Sequence, residues 1–266
     1  MNIDYQALCL QVVELSKQIG QFFLQEINQV KSSDIESKGI HDFVSYVDKT
    51  AEATIVKELS RLLPDCGFIA EEGTVVYRGE RFNWIVDPLD GTTNFLHRIP
   101  LYSVSIALME YDEIVLGVIY EPNLDECFYA WKGSKAFMNE KEIAVSVQHE
   151  MRSTLLATGF PYKDYGKLNA YMELFKWFAS NTSGIRRLGS AAVDLAYTAC
   201  GRFEGFYEYG LQPWDVAAGA FIVQQAGGKI TDFKGGNNFL FGGEMLASNT
   251  VLHGTLLEAI QQHFDN

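Results

Sequence analysis

Two carboxylates three residues apart, delivered into a turn with a glycine and a threonine, give the chain its clearest chemical signal: Trp84-Ile85-Val86-Asp87-Pro88-Leu89-Asp90-Gly91-Thr92-Thr93-Asn94-Phe95. The apolar run before Asp87 reads as a buried strand, and functional groups concentrate where such elements end. Pro88 fixes its own φ and restricts Asp87. The two carboxylates and the Leu89 carbonyl can therefore converge as hard oxygen ligands, the kind Mg²⁺ takes. Gly91 permits close backbone approach, and a helix starting near Thr92 would leave N–H groups for phosphate oxygens. Standing alone, Asp-Pro-Leu-Asp-Gly also makes an ordinary type I turn.

The company this segment keeps decides between those readings. Ile69-Ala70-Glu71-Glu72-Gly73 is a second strand ending in carboxylates, and Pro213-Trp214-Asp215-Val216 puts Asp215 at a helix opening. Separately, the glutamates read as a solvated turn and Asp215 as an N-cap, although a cap and a ligand are not exclusive. Jointly, Glu71-Glu72, the run from Asp87 to Thr92 and the distant Trp214-Asp215 resemble the inositol monophosphatase family. The resemblance extends from the first helix through residues 45–52, through Gly189-Ser190-Ala191-Ala192 and Glu208, to the glycine-rich turns before the last helix.

That resemblance implies a layered αβαβα sandwich of the inositol monophosphatase and fructose-1,6-bisphosphatase type. It implies an α+β half over 1–148 with an antiparallel sheet carrying most metal ligands, and an α/β half over 149–266 with a mixed sheet completing the site. Two or three Mg²⁺ per site follow from it. Glu71, Asp87 and the Leu89 carbonyl would hold the first ion, Asp87, Asp90 and Asp215 the second, and Glu71 a third. Thr92 and Asp48, with Glu71 as a further candidate base, would position or deprotonate water. Asp90, Gly91, Thr92, Ser190, Ala191, Glu208 and Asp215 would bind substrate, carboxylates being good acceptors for polyol hydroxyls.

The activity implied is hydrolysis of a small phosphomonoester, myo-inositol monophosphate first, inhibited by lithium and carried out by a cytoplasmic homodimer. The same chemistry on fructose 1,6-bisphosphate, NADP, histidinol phosphate or a 3′-phosphoadenosine nucleotide is the alternative. A regulatory binding partner with secondary phosphatase activity is the other. Glu208, seven residues before Asp215, and the short segment between Thr74 and Asn83 favour a small polyol over a nucleotide, which would want an apolar or cationic wall for its base. Val47 departs from the polar residue many members carry there, and Lys38 aligns with no family lysine securely enough to be placed in the site. Asp90→Asn is expected to abolish phosphate release with stability similar or higher, because like-charge repulsion is relieved.

The rest of the composition is consistent with metal-assisted chemistry. With 21 basic against 34 acidic residues the formal charge is -13, which repels nucleic acid and anionic membrane alike. Bound divalent cations reverse that field locally for a phosphate ester. Cys9, Cys66, Cys127 and Cys200 are scattered without zinc spacing, so free thiols are expected. His41, His97, His149, His253 and His263 show no paired spacing and are assigned to surface or supporting positions. The N-terminus lacks a basic stretch followed by an apolar run, and no segment approaches a membrane span of about 18 apolar residues.

The elements that must position these groups follow from periodicity. Leu8, Val12, Leu15, Ile19, Phe22 and Ile27 mark one face of a helix over about 4–30. A polar linker over 31–41 leads to a second helix bearing Val47, Ala51, Ile55, Leu59 and Leu62 and stopped by Pro64. Short β-rich runs fill 66–131 and predict a mostly antiparallel sheet. Helices near 168–180, 191–200, 215–226 and 252–264 alternate with strands such as 205–209 and 245–248.

Overall fold

A capped, one-sided helix opens the chain, as its spacing predicts: α1 (Tyr5–Glu26) starts where Asp4 accepts the Ala7 N–H at 3.0 Å. It buries Leu8, Val12, Leu15 and Ile19. Phe23 rather than Phe22 completes the stripe, Phe22 being only partly buried. The molecule is a computed structural model that describes residues 3–39, 42–73, 77–160 and 165–264. Residues 31–41 do not form a simple linker. β1 (Ile35–Gly39) and β2 (Asp42–Ser45) pair antiparallel, a pairing that a polar stretch without alternation gave no reason to expect; His41 lies outside the described residues, as does the Lys38 side chain. Ser45 then caps α2 (Tyr46–Leu62), which buries Val47, Ala51, Ile55 and Leu59.

The first sheet has seven strands in chain order: β3 (Gly67–Ala70), β4 (Phe82–Asp90), β5 (Ser103–Glu110), β6 (Glu113–Glu121), β7 (Glu126–Trp131), β8 (Ala136–Met138) and β9 (Lys141–Ile143). Only β3 and β4 run parallel. The single turn of helix α3 (Thr92–Leu96) follows β4. The β8–β9 hairpin escapes the periodicity because its tight turn uses Asn139 and Glu140, both at positive φ (46° and 68°), where a glycine would normally announce it.

The second half supplies β10 (Leu155–Thr158), α4 (Leu168–Asn181), β11 (Gly184–Arg186), α5 (Ala191–Ala199), β12 (Gly205–Tyr209), α6 (Pro213–Gln225), β13 (Lys229–Thr231), β14 (Glu244–Ser248) and α7 (His253–Phe264). Its five strands lie in the order β11-β10-β12-β14-β13, with β10 parallel to its two neighbours and the β12–β14 and β13–β14 pairs antiparallel.

Strand alternation fixes the layers. In β4 and β5, Trp84, Val86, Val104, Ile106 and Leu108 face α1 and α2, whereas Ile85 and Ala107 face α5 and α6. From beyond, Phe206, Met245 and Ala247 pack on the same helix pair, while Leu156, Tyr207 and Leu246 turn to α4 and α7. The result is an αβαβα sandwich. α6 is apolar nearly all round, Val216 to Val223 being buried without interruption, as a helix between two sheets must be.

Close packing of that helix depends on missing side chains. A Cβ on Gly117 of β6 would lie 2.8 Å from the Ala218 carbonyl oxygen, and one on Gly219 only 2.5 Å from Leu195 Cβ. Gly117→Ala is expected to lose about 1–3 kcal/mol of stability, measured by urea unfolding, because backbone rather than a flexible side-chain tip must give way.

One histidine departs from the surface assignment. His253 is 1% exposed, its Nδ1 2.7 Å from Ser248 Oγ and its Nε2 3.1 Å from Thr231 Oγ1. Burial pulls its pKa down to about 4, making it a neutral core residue far from any ligand role. Among the described residues no helix is long and apolar enough to cross a membrane.

Candidate active site

In a regular strand Asp87 and Asp90, three apart, would point to opposite faces. Pro88 cannot donate to the ladder with β5, and the register slips there: Asp87 pairs with Ser105 and Asp90 with Ser103. One extra residue on β4 makes this a β-bulge, the device that re-aims side chains near sites. Both aspartates thereby join Ser103 and Ser105 on the face turned to the second half. Ser103 Oγ lies 3.3 Å from Ser190 Oγ, and Ser105 Oγ is 3.4 Å from the Trp214 carbonyl. The parallel neighbour β3 brings Glu71 to the same end, its N–H reaching the Val86 carbonyl at 3.2 Å.

The charges concentrate around Asp87. It is 2% exposed; burial pushes its carboxyl well above the usual range, and Glu71, Asp90 and Asp215 push it further by like charge. Repulsion among half-buried carboxylates gathered around a buried one marks a place where an added positive charge is favourable, as a bound cation would supply. The donor set of hard carboxylate oxygens fits Mg²⁺. Local backbone donors meanwhile serve these side chains: Asp87 Oδ1 accepts the Leu89 N–H at 3.0 Å, and Asp215 Oδ2 the Gln212 N–H at 2.7 Å. Among the described residues no three Asp, Glu, His or Cys groups stand in a ready-made ligand arrangement.

Asp215 does not cap α6. Gln212 occupies that position, Pro213 takes the first helical position that suits it, and Asp215 sits in the first turn reaching back. Asp48 is placed alike in α2: its Oδ2 accepts the Ser45 N–H at 2.9 Å and the Ser45 hydroxyl at 2.8 Å. Its other oxygen lies 3.1 Å from Thr92 Oγ1, which also stands 2.9 Å from the Leu89 carbonyl. Burial raises the Asp48 pKa against the pull of the Ser45 and Thr92 hydrogen bonds. Gly91 caps α3 at φ 95°, and a Cβ there would press the Gly189 and Leu101 carbonyls at 3.2 and 3.3 Å. Because α3 is one turn long, any anion binding rests on its free N–H groups and not on a long helix dipole.

Asp90 crosses between the halves. Its Oδ2 accepts the Ser190 hydroxyl at 2.5 Å and the Ala192 N–H at 2.7 Å, which fixes the start of α5 against β4. Burial raises its pKa to about 6, with the Ser190 hydroxyl and the N–H groups of Ala192 and Ala191 opposing. Glu208, half-buried on β12, reaches the same region: burial lifts its pKa to about 8, Arg187 pulls it back and Asp90 adds to the rise. Gly159 leaves room for it, since a Cβ there would lie 2.0 Å from Glu208 Oε1.

The structure thus gathers Glu71, Asp87, Leu89, Asp90, Gly91, Thr92, Asp48, Ser190, Ala191, Glu208 and Asp215 at one junction, and adds residues that sequence reasoning passed over. Arg187 is the cation whose field acts on Asp90, Asp194 and Glu208 together. Asp194, 1% exposed on α5, is raised by burial and then by Glu208 and Asp90. Proximity to Gly189-Ser190 was the available signal for both.

The chain is similar to known proteins along nearly its whole length. The model of the inositol monophosphatase family matches residues 4–265. An inositol-1-monophosphatase of Mesorhizobium japonicum is 41% identical over 257 residues, 96% of this chain and 97% of that one. The Nus factor SuhB of Pseudomonas aeruginosa is 38% identical over 253 residues, 93% of each. The crystal structure of the extragenic suppressor protein suhB from Bartonella henselae superposes with a TM-score of 0.90 at 41% identity, over 94% of this chain and 97% of that one. Matched from residue 4 to 265 by the family model and 41% identical to a relative over 96% of its length, the chain belongs to the inositol monophosphatase family.

Proposed function

We propose that the protein is a Mg²⁺-dependent, lithium-sensitive phosphomonoesterase whose preferred substrate is myo-inositol monophosphate. The observation that supports it is the like-charge cluster that the Pro88 bulge assembles around Asp87. Glu71, Asp87 and the Leu89 carbonyl are the ligands proposed for one ion, Asp87, Asp90 and Asp215 for a second, and Glu71 for a third. When bound, the ions supply charge that stabilises an in-line displacement at phosphorus and make water acidic enough to attack near neutral pH. Thr92 Oγ1 would orient the attacking water and relay its proton toward Asp48, with Glu71 the other candidate base; Thr92 would donate to the Leu89 carbonyl only when Asp48 is protonated. The N–H groups of Gly91 and Thr92 take phosphate oxygens, and Ser190, Ala191, Glu208, Asp90 and Asp215 take the polyol hydroxyls. The halves 1–148 and 149–266 are proposed as the two units whose junction holds the site, in a cytoplasmic homodimer.

The test is phosphate release from inositol 1-phosphate, fructose 1,6-bisphosphate, NADP, histidinol phosphate and 3′-phosphoadenosine 5′-phosphate, each with Mg²⁺, with EDTA and with lithium. Preference for inositol phosphate with loss in EDTA supports the reading. Preference for another ester moves the substrate, and silence on all of them with Mg²⁺ present defeats the phosphatase reading. The name Nus factor carried by the Pseudomonas relative motivates a second reading, a protein-binding role independent of turnover; a partner captured equally by the native protein and by a catalytically inactive variant would support it.

Gly159→Ala tests the substrate side. The new methyl displaces the Glu208 carboxylate, a flexible tip, so the fold survives. Loss of one hydrogen bond to a carboxyl that burial keeps largely protonated near neutral pH, about 0.5–1.5 kcal/mol, is expected to raise KM for inositol phosphate about 2- to 10-fold with kcat largely kept.

A further inference from the structure

Aspartate and glutamate are almost never fully buried without a partner, yet α2 buries two carboxylates one helical turn apart. Asp48 is taken up by the Thr92 contact and its own cap. Glu52, 0% exposed, lies on the same stripe with no role in the chemistry described so far. Its Oε2 accepts the Glu72 N–H at 2.7 Å.

The position of that N–H gives the bond its meaning. β3 follows β4 in parallel as far as Ala70 opposite Val86, and Glu71 makes a last link through its N–H to the Val86 carbonyl at 3.2 Å. At Glu72 the chain leaves the sheet, and Gly73 at φ 64° turns it away. The buried Glu52 carboxylate receives the first N–H that has left the ladder. The two N–H groups flanking the Glu71 α-carbon are therefore held from opposite sides, one by β4 and one by α2. This leaves the Glu71 side chain little freedom in its direction toward Asp87, whose pKa it raises more than Asp90 or Asp215 does.

We propose that Glu52 is a positioning residue: through the Glu72 N–H it sets the direction of the Glu71 carboxylate and so the affinity of the cation site. The inference rests on the metal-site reading given above. With Asp48 holding the Thr92 turn and Glu52 holding the end of β3, one helix face ties down both strand ends that carry the candidate ligands.

The test measures Mn²⁺ binding to the full-length protein by electron paramagnetic resonance of the free ion, together with circular dichroism and melting in EDTA. Glu52→Leu keeps the volume and removes the acceptor; it is expected to weaken Mn²⁺ binding about 10- to 100-fold, the usual loss when a partner of a metal ligand is removed, with the helical spectrum intact. Glu52→Gln retains a carbonyl acceptor and is expected to restore binding to within about threefold of the native protein. Should Glu52→Leu fail to fold, Glu52→Asp carries the same test, because it keeps the charge but withdraws it by one methylene. Glu71→Gln is the reference. If Glu71→Gln loses Mn²⁺ while the folded Glu52 variant binds like the native protein, the positioning role is overturned. If Glu71→Gln itself binds normally, the metal-site reading fails first.

Discussion

Asp87→Asn is expected to abolish phosphate release and, in the same protein stripped with EDTA, to raise the melting temperature. Asp87 is 2% exposed, and burial together with Glu71, Asp90 and Asp215 raises its pKa well above the ordinary 3.8. A carboxyl whose pKa rises on folding binds more protons in the native state, so its contribution is fully present below the ordinary value and is lost as pH rises through the folded value. Metal-free native protein should therefore weaken as pH climbs above about 4, and the asparagine variant should weaken less over the same range. Turnover should fall by at least about 10²- to 10³-fold, the loss typical when one group stabilising the transition-state charge is removed. Calorimetry across pH and a phosphate-release assay check the two halves; an active variant would remove Asp87 from the centre of the site. Asp90→Asn is expected to share the loss of activity without the full gain in stability, because Asp90 also accepts the Ser190 hydroxyl and the Ala192 N–H.

Thr92→Val and Asp48→Asn are each expected to lower kcat about 10²- to 10⁴-fold, the range for a removed proton-transfer group. KM should change little. Their side chains meet at 3.1 Å, so the double variant should be scarcely worse than either single one, as groups acting as a unit are grossly non-additive. Thr92→Ser keeps the hydroxyl and should keep most of the activity. Pre-steady-state and steady-state kinetics of the four variants decide it, and additive losses would mean that Asp48 and Thr92 serve separate steps. Loss of folding in Asp48→Asn would instead assign the residue to the α2 cap.

Much of this was written in residue types. The Asp87-Pro88-Leu89-Asp90 spacing announced a two-carboxylate turn, and helical spacing located α1 and α2. Pro88 already pointed to convergence of the two aspartates; the bulge that unites them is a tertiary event, settled by pairing with Ser103 and Ser105 of β5 and by a proline that cannot join the ladder. Short strands without a glycine turn, β8 and β9, were illegible because their hairpin places Asn139 and Glu140 at positive φ. The β1–β2 pair was illegible for another reason: a polar stretch pairs by backbone alone and leaves no alternation to read. Glu52 was visible only as one more charge four residues after Asp48, and its burial against the Glu72 N–H depends on where β3 happens to end. Arg187 similarly needed the chain to fold before its three carboxylate neighbours were known.

The sandwich order has a consequence for how such a protein can change. Glu71, Asp87, Leu89, Thr92 and Asp48 hang from one sheet and the helix packed on it, while Gly159, Glu208 and Arg187 belong to the other half, across α5 and α6. On the roles proposed above, most of the metal ligands lie on one layer and Glu208 on another, with Asp90 and Asp215 serving both metal and substrate at the seam between them. With the roles so divided, substitutions at Gly159, Glu208 or Arg187 on the five-stranded side would reshape the pocket for a different alcohol while leaving Glu71, Asp87 and Asp90 in place.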